Sequence, residues 1–170
     1  MIEDEHSILK SLDELLRPTS VRSEIDAIAS QLEQDLIRNP GALMTWQPVP
    51  LLLYRSSIPL GIQSSWVFVL RAQAITGAER HPNSYQRLMS YRGSGDLQVN
   101  VDGQWRSNHL VSDGTFPLTA RWASIPINVW HQAIVPPENW VVVSFHTAPA
   151  HELIEERPVG DVTRLRRYVN

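Results

Sequence analysis

The sequence predicts a β-dominated single domain, a sandwich or barrel of short strands, with two amphipathic α-helices at its N-terminus. Three observations carry this. The chain has 170 residues, the size of one domain. From residue 42 onward, short runs rich in Val, Trp, Tyr, Phe, Thr and Ile alternate with Pro, Gly, Asn and Asp, at spacings that suit strands and turns rather than alternating βα units. Before residue 42 the apolar residues recur at three- and four-residue steps instead.

The helices come first. Ile8, Leu9, Leu12, Leu15 and Leu16 share one face, and Pro18 closes that segment. Val21, Ile25, Ile28, Leu32 and Leu36 form the stripe of a second helix, ended by Asn39-Pro40-Gly41. Neither carries a cluster of chemical residues. They are expected to pack outside the barrel, to mediate self-association, or to form a separate interaction hairpin. Strands are expected near 43–46, 50–55, 66–75, 78–83, 85–91, 96–101, 104–111, 117–124, 128–135 and 140–147. Asp102-Gly103 has the sequence of a two-residue hairpin turn. The expected organisation is a helical extension over 1–41, a barrel over 42–155 and a solvated C-terminal tail over 156–170. Arg164, Arg166 and Arg167 in that tail could alternatively hook an acidic partner.

Composition limits function. There is no cysteine, so disulfides and thiolate ligands are excluded, and a metal must be held by nitrogen and oxygen. A net charge of −3 and a pI near 6.0 give no general pull toward nucleic acid or an anionic membrane. No apolar run reaches the ~20 residues of a membrane helix, and the acidic start MIEDEHSILK lacks the basic-then-apolar layout expected of a signal peptide. A cytoplasmic protein is expected.

The segment Glu79-Arg80-His81-Pro82-Asn83-Ser84-Tyr85-Gln86 carries the chemistry. In a strand, Glu79 and His81 point to one face. Gln86 follows a turn at Pro82-Asn83, and His131 interrupts an apolar strand fifty residues later. One carboxylate, two imidazoles and one amide oxygen make a mixed site for Fe, Mn, Ni or Zn as a divalent ion. Taken singly, each residue also has a plain structural reading: a rim ion pair for Glu79, a turn cap for His81 and a core histidine for His131.

These residues resemble the two motifs of the cupin superfamily. The first runs Gly, five residues, His-x-His, three or four residues, Glu, six residues, Gly. Here Glu79-x-His81 stands for His-x-His, Gln86 for the Glu, Gly93 for the closing Gly, and Gln73 replaces the leading Gly. The second runs Pro-x-Gly-x-x-His with a later Asn. Pro126-x-Asn128-x-x-His131 matches with Asn for Gly, and Val135 replaces the last Asn. The resemblance covers about residues 66–147. It implies a cupin-type double-stranded β-helix, or jelly-roll barrel, with the metal held by Glu79, His81, Gln86 and His131. One negative charge is kept but moved from the Glu position to Glu79.

Further candidates flank the expected pocket. Tyr54, Tyr91 and His146, with Glu79 as a base if it is not a ligand, are candidate catalytic residues. His146 could face the lumen beside Ser144 or sit at the rim. Arg71 and Tyr85 are candidates to orient a substrate. The resemblance implies either a metal-dependent enzyme acting on a small organic molecule, with oxygenase-like or lyase/isomerase-like chemistry, or a non-catalytic binding or sensing barrel. Partners expected are the small molecule and a second copy in a homodimer.

Overall fold

A computed structural model describes residues 4–55 and 57–169. Helix α1 spans Glu5–Leu15 and α2 spans Thr19–Arg38, with Pro18 and Asn39 at the boundaries the sequence marked. The strands are β1 (Met44–Val49), β2 (Ser64–Leu70), β3 (Gln86–Arg92), β4 (Ser94–Val101), β5 (Gln104–Arg106), β6 (His109–Val111), β7 (Trp122–Ile125), β8 (His131–Ile134), β9 (Trp140–His146), β10 (Ile154–Val159) and β11 (Val162–Arg167). The β-dominated barrel with two N-terminal helices is what the sequence predicted.

Two antiparallel sheets face each other. The first runs β1-β2-β9-β3-β7. In the second, β4 has β5 and β6 on one edge and β8 on the other. Bridges at Ile75–Ile134 and Glu79–His131 lay residues 75–79 along β8, and an Arg80–Glu156 bridge adds the β10-β11 hairpin beyond them.

The first sheet is buried on both faces, which is why β2 and β9 read as near-continuous apolar runs. Trp66, Phe68, Leu88, Trp140 and Val142 point into the barrel. Val67, Val69, Met89, Val143 and Phe145 point outward, against Leu12, Ile25, Leu32 and the other helix stripe residues. The helices are therefore the outer layer of the domain. Each such side chain contributes roughly 1.5–3 kcal/mol on full burial.

Polar contacts fix the helices in register. Asp13 is buried, accepting from Arg121 Nη1 at 2.7 Å and Trp122 Nε1 at 3.0 Å. Glu5 takes both guanidinium bonds of Arg87, at 2.8 and 2.7 Å. Arg71 donates to the carbonyls of Leu36, Asn39 and Ala42, closing the C-terminus of α2. It serves the helix, not the pocket.

Several expected strands differ. Residues 51–54 form a 3-10 turn that starts at Pro50, which ends β1 and has no N–H to continue a ladder. Residues 104–111 break into β5 and β6 around Ser107-Asn108, and 117–124 opens as a 3-10 turn at Leu118–Ala120. The tail expected over 156–170 is the largest departure. Its described part is a hairpin turning at Gly160-Asp161, with Gly160 at φ +61°, and it completes the second sheet.

The two glycine substitutions in the motifs keep the backbone they replace. Gln73 has φ +63° and Asn128 has φ +65°, the left-handed region a glycine takes freely. Gly93, at φ +84°, is different: a Cβ there would lie 2.9 Å from the Asn139 carbonyl oxygen.

Two stability measurements check this account. Asp13→Ala strands the buried Arg121 charge and is expected to cost about 3–5 kcal/mol in urea denaturation. Gly93→Ala should cost more than about 1 kcal/mol, whereas Asn128→Gly should be neutral or mildly stabilising. Near-wild-type midpoints for Asp13→Ala would show that the pair does not fix the helix.

Candidate metal centre

Glu79, in the extended segment before β3, lies opposite His131 of β8 through an isolated antiparallel bridge. Each donates its backbone N–H to the other's carbonyl at 2.8 Å. His81 follows two residues beyond Glu79 on the same inward face. The second sheet therefore supplies the carboxylate and both imidazoles. The first sheet supplies Gln86 and His146, which are register partners on β3 and β9. The His81 ring centre is 5.4 Å from that of His131 and 5.2 Å from that of His146. Ligand atoms of Glu79, His81 and His131 all lie within 4.8 Å of one another.

Backbone contacts decide which ring nitrogens face inward. His81 Nδ1 donates to the Ile154 carbonyl at 2.8 Å, and His131 Nδ1 to the Val129 carbonyl at 3.1 Å. A carbonyl can only accept, so each Nδ1 carries a proton. Each Nε2 then presents a lone pair to the interior, the arrangement of a metal-ligating histidine. Among the described residues, His81 Nε2, His131 Nε2 and Gln86 Oε1 are buried with no hydrogen-bond partner. Glu79 Oε1 stands 3.4 Å from His131 Nε2. Three buried acceptors without a partner among the described residues and a carboxylate oxygen thus face one small space, a donor set that a cation would satisfy. The nitrogen and oxygen donors fit a divalent transition metal.

Burial alone raises the Glu79 carboxyl. The contact with His131, 3.4 Å away, and the charges on His131, Arg157 and His81 outweigh it and hold Glu79 at about 2. Burial, with the His131 charge, lowers His81 to about 4. Burial and the charges on His81 and His131 hold His146 well below its ordinary value. His146 is the satisfied member of the group: its Nδ1 meets Ser84 Oγ at 3.2 Å and its Nε2 meets Ser144 Oγ at 3.1 Å.

Two candidate residues lie elsewhere. Tyr54 packs on Phe145 on the helix side of the first sheet, with its hydroxyl 2.6 Å from Ser65 Oγ. Tyr91 points the same way and donates to Asp26 on α2 at 2.9 Å. Strand alternation explains both: Ser65 and Tyr91 are out of phase with the lumen-facing Trp66 and Ser90. Tyr85 stacks beneath Arg87, 4.4 Å from its guanidinium.

The C-terminal hairpin supplies residues that sequence reasoning missed. Arg157 reaches Glu79 Oε2 through Nη2, the Thr76 carbonyl at 2.6 Å through Nη1, and Glu155 at 2.6 Å through Nε. Glu155 is fully buried and also pairs with Arg166 and the Tyr168 hydroxyl. Tyr168 sits edge-on to Trp46 and Phe68 and covers the barrel mouth. Gly160-Asp161 between alternating residues was the available signal. The space left inside is a cavity of about 40 Å³, lined by Glu79, Gln86, His131 and Tyr168 among apolar neighbours.

No protein-family model and no curated protein matches the chain. Solved structures do. Coconut allergen cocosin aligns with a TM-score of 0.51 at 18% identity, over 69% of this chain and 28% of its own. Pumpkin seed globulin aligns with a TM-score of 0.51 at 16% identity, over 67% and 28%. An oxalate oxidase aligns less closely, with a TM-score of 0.48 at 14% identity, over 64% and 52%. The chain thus spans under a third of the length of the globulins. The likeness shows the fold alone, a cupin-type jelly-roll barrel, and within it the Glu79, His81 and His131 group is positioned for a metal.

The buried histidines predict acid sensitivity in the metal-free protein. An unfolded histidine titrates near ~6.5, whereas folded His81 stays neutral down to about 4. Below pH ~6.5 the unfolded chain binds protons that the fold refuses. Stability should therefore fall with pH between ~6.5 and 4, by up to about 1.4 kcal/mol per unit for each such histidine. Melting temperatures that are equal at pH 7 and pH 5 would contradict this.

Proposed function

We propose that this protein is a metal-dependent cupin that holds one divalent transition ion through Glu79, His81, Gln86 and His131 and acts on a small organic molecule beside it. The observation that carries the reading is the set of three buried, unpartnered acceptors facing a carboxylate. When bound, the ion supplies Lewis-acid or redox chemistry at an open coordination position. The chain's own residues do the rest. The Ile154 and Val129 carbonyls aim the imidazoles, and the buried wall excludes water. Arg157 takes one Glu79 oxygen and leaves the other to the site. With two imidazoles and one carboxylate, the set resembles the facial triad of non-haem iron, which favours oxygenase-like over lyase/isomerase-like chemistry.

A non-catalytic binding or sensing role is the second reading, supported by the small chamber closed by Tyr168. A homodimer formed through an exposed sheet edge such as β11 belongs to either reading. Light scattering should then give the mass of two chains, and a monomeric mass would contradict it.

Metal analysis after purification without chelator tests the main reading. Wild-type protein is expected to carry about one equivalent, and His81→Ala and His131→Ala should lose most of it, since an outer partner alone is commonly worth ~10–100-fold in affinity. Equal metal content in all three would overturn it.

A further inference from the structure

Outside the closed chamber lies a larger cleft of about 550 Å³, between the end of α2, β1 and the C-terminal hairpin. Met44 and Thr76 line both spaces. The partition between them is an ion pair: Glu79 lines the inner chamber and Arg157 the outer cleft. Arg166 lines the cleft as well. Its guanidinium lies 4.7 Å from the Trp46 ring centre, and its Nε is buried without a partner among the described residues.

Formal charges around the partition cancel when the centre is empty: Glu79 and Glu155 offset Arg157 and Arg166. A divalent ion leaves two positive charges uncompensated in a mostly buried region, and an anion that follows it in restores balance. When Glu79 acts as a ligand its charge is shared, and Arg157 Nη2 can turn to that anion. A guanidinium fork matches the planar pair of oxygens of a carboxylate. The inner chamber has room for about three water-sized groups, enough for a carboxylate head but not a carbon skeleton. The skeleton would lie in the cleft against Met44 and Trp46. Asp35 also lines the cleft, but Gln31 at 3.1 Å and Arg38 at 3.3 Å hold its carboxylate.

We propose that this cleft is the binding site of a small organic carboxylate, which passes the Glu79–Arg157 partition head-first and is gripped by Arg157 with Arg166 beside it. This names the substrate class and rests on the metal-centre reading above. The test is calorimetric titration of zinc-loaded full-length protein with malonate, its neutral counterpart malonamide, and inorganic phosphate. Zinc content is measured on the same samples. Malonate should bind and malonamide should not. Arg157→Gln, kept at saturating zinc, should weaken malonate about tenfold or more, the loss of one charge-assisted contact, with its zinc content matched to wild type on the same samples. Arg157→Lys, which keeps the charge but loses the fork, and Arg166→Gln should each weaken it by a smaller factor. These two variants also decide the matter if Arg157→Gln fails to fold. Retained zinc with malonate affinity unchanged in the arginine variants, equal binding of malonamide, or binding of phosphate alone would overturn the carboxylate site and leave the metal reading standing. Failure of the wild-type protein to take up zinc would overturn both.

Discussion

The arrangement turns on an electrostatic mismatch that the fold builds and cannot relieve by itself. Two imidazole lone pairs, an amide oxygen and a carboxylate oxygen are buried together, and both imidazole N–H donors are already turned away. The Ile154 and Val129 carbonyls hold the protonated Nδ1 atoms outward, and Arg157 holds the far oxygen of Glu79. A metal ion standing between them would supply the missing positive charge. The separation of roles is physical. Groups that point outward are paired with backbone or guanidinium, and groups that point inward are not.

The barrel makes this possible through one register. Glu79 sits across from His131 on one sheet, and Gln86 across from His146 on the other, so four chain-distant residues converge without a long loop. The helices contribute indirectly. By covering the outer face of the first sheet they let β2, β3 and β9 be apolar on both sides. The C-terminal hairpin closes the remaining opening. Arg157, Glu155, Arg166 and Tyr168 form one connected set of charged and hydroxyl groups that ends on Glu79.

Much of this was legible in the sequence, for identifiable reasons. The helices declared themselves through their spacing and through Pro18 and Asn39-Pro40-Gly41. Glu79, His81, Gln86 and His131 declared themselves through motif spacing. The departures at Gln73 and Asn128 cost little because both residues hold the left-handed backbone that the missing glycines would have supplied. Side-chain phase on long buried strands was not legible. β2, β3 and β9 are buried on both faces, so no polar alternation marks which residues look into the barrel; Tyr91 on β3 turns to the helix side, and Tyr54 lies there too, on a 3-10 turn where a strand was expected. The hairpin over 154–167 was hidden by its arginines, which read as a solvated tail until their internal acids, Glu79 and Glu155, are seen beside them.

Anomalous diffraction from crystals grown with zinc or manganese addresses the centre directly. A single strong peak about 2.0–2.2 Å from His81 Nε2 and His131 Nε2, with Glu79 and Gln86 oxygens completing the shell, is the predicted result. A well-ordered interior with no peak there, and His131 in direct contact with Glu79, would mean that a proton alone satisfies the site.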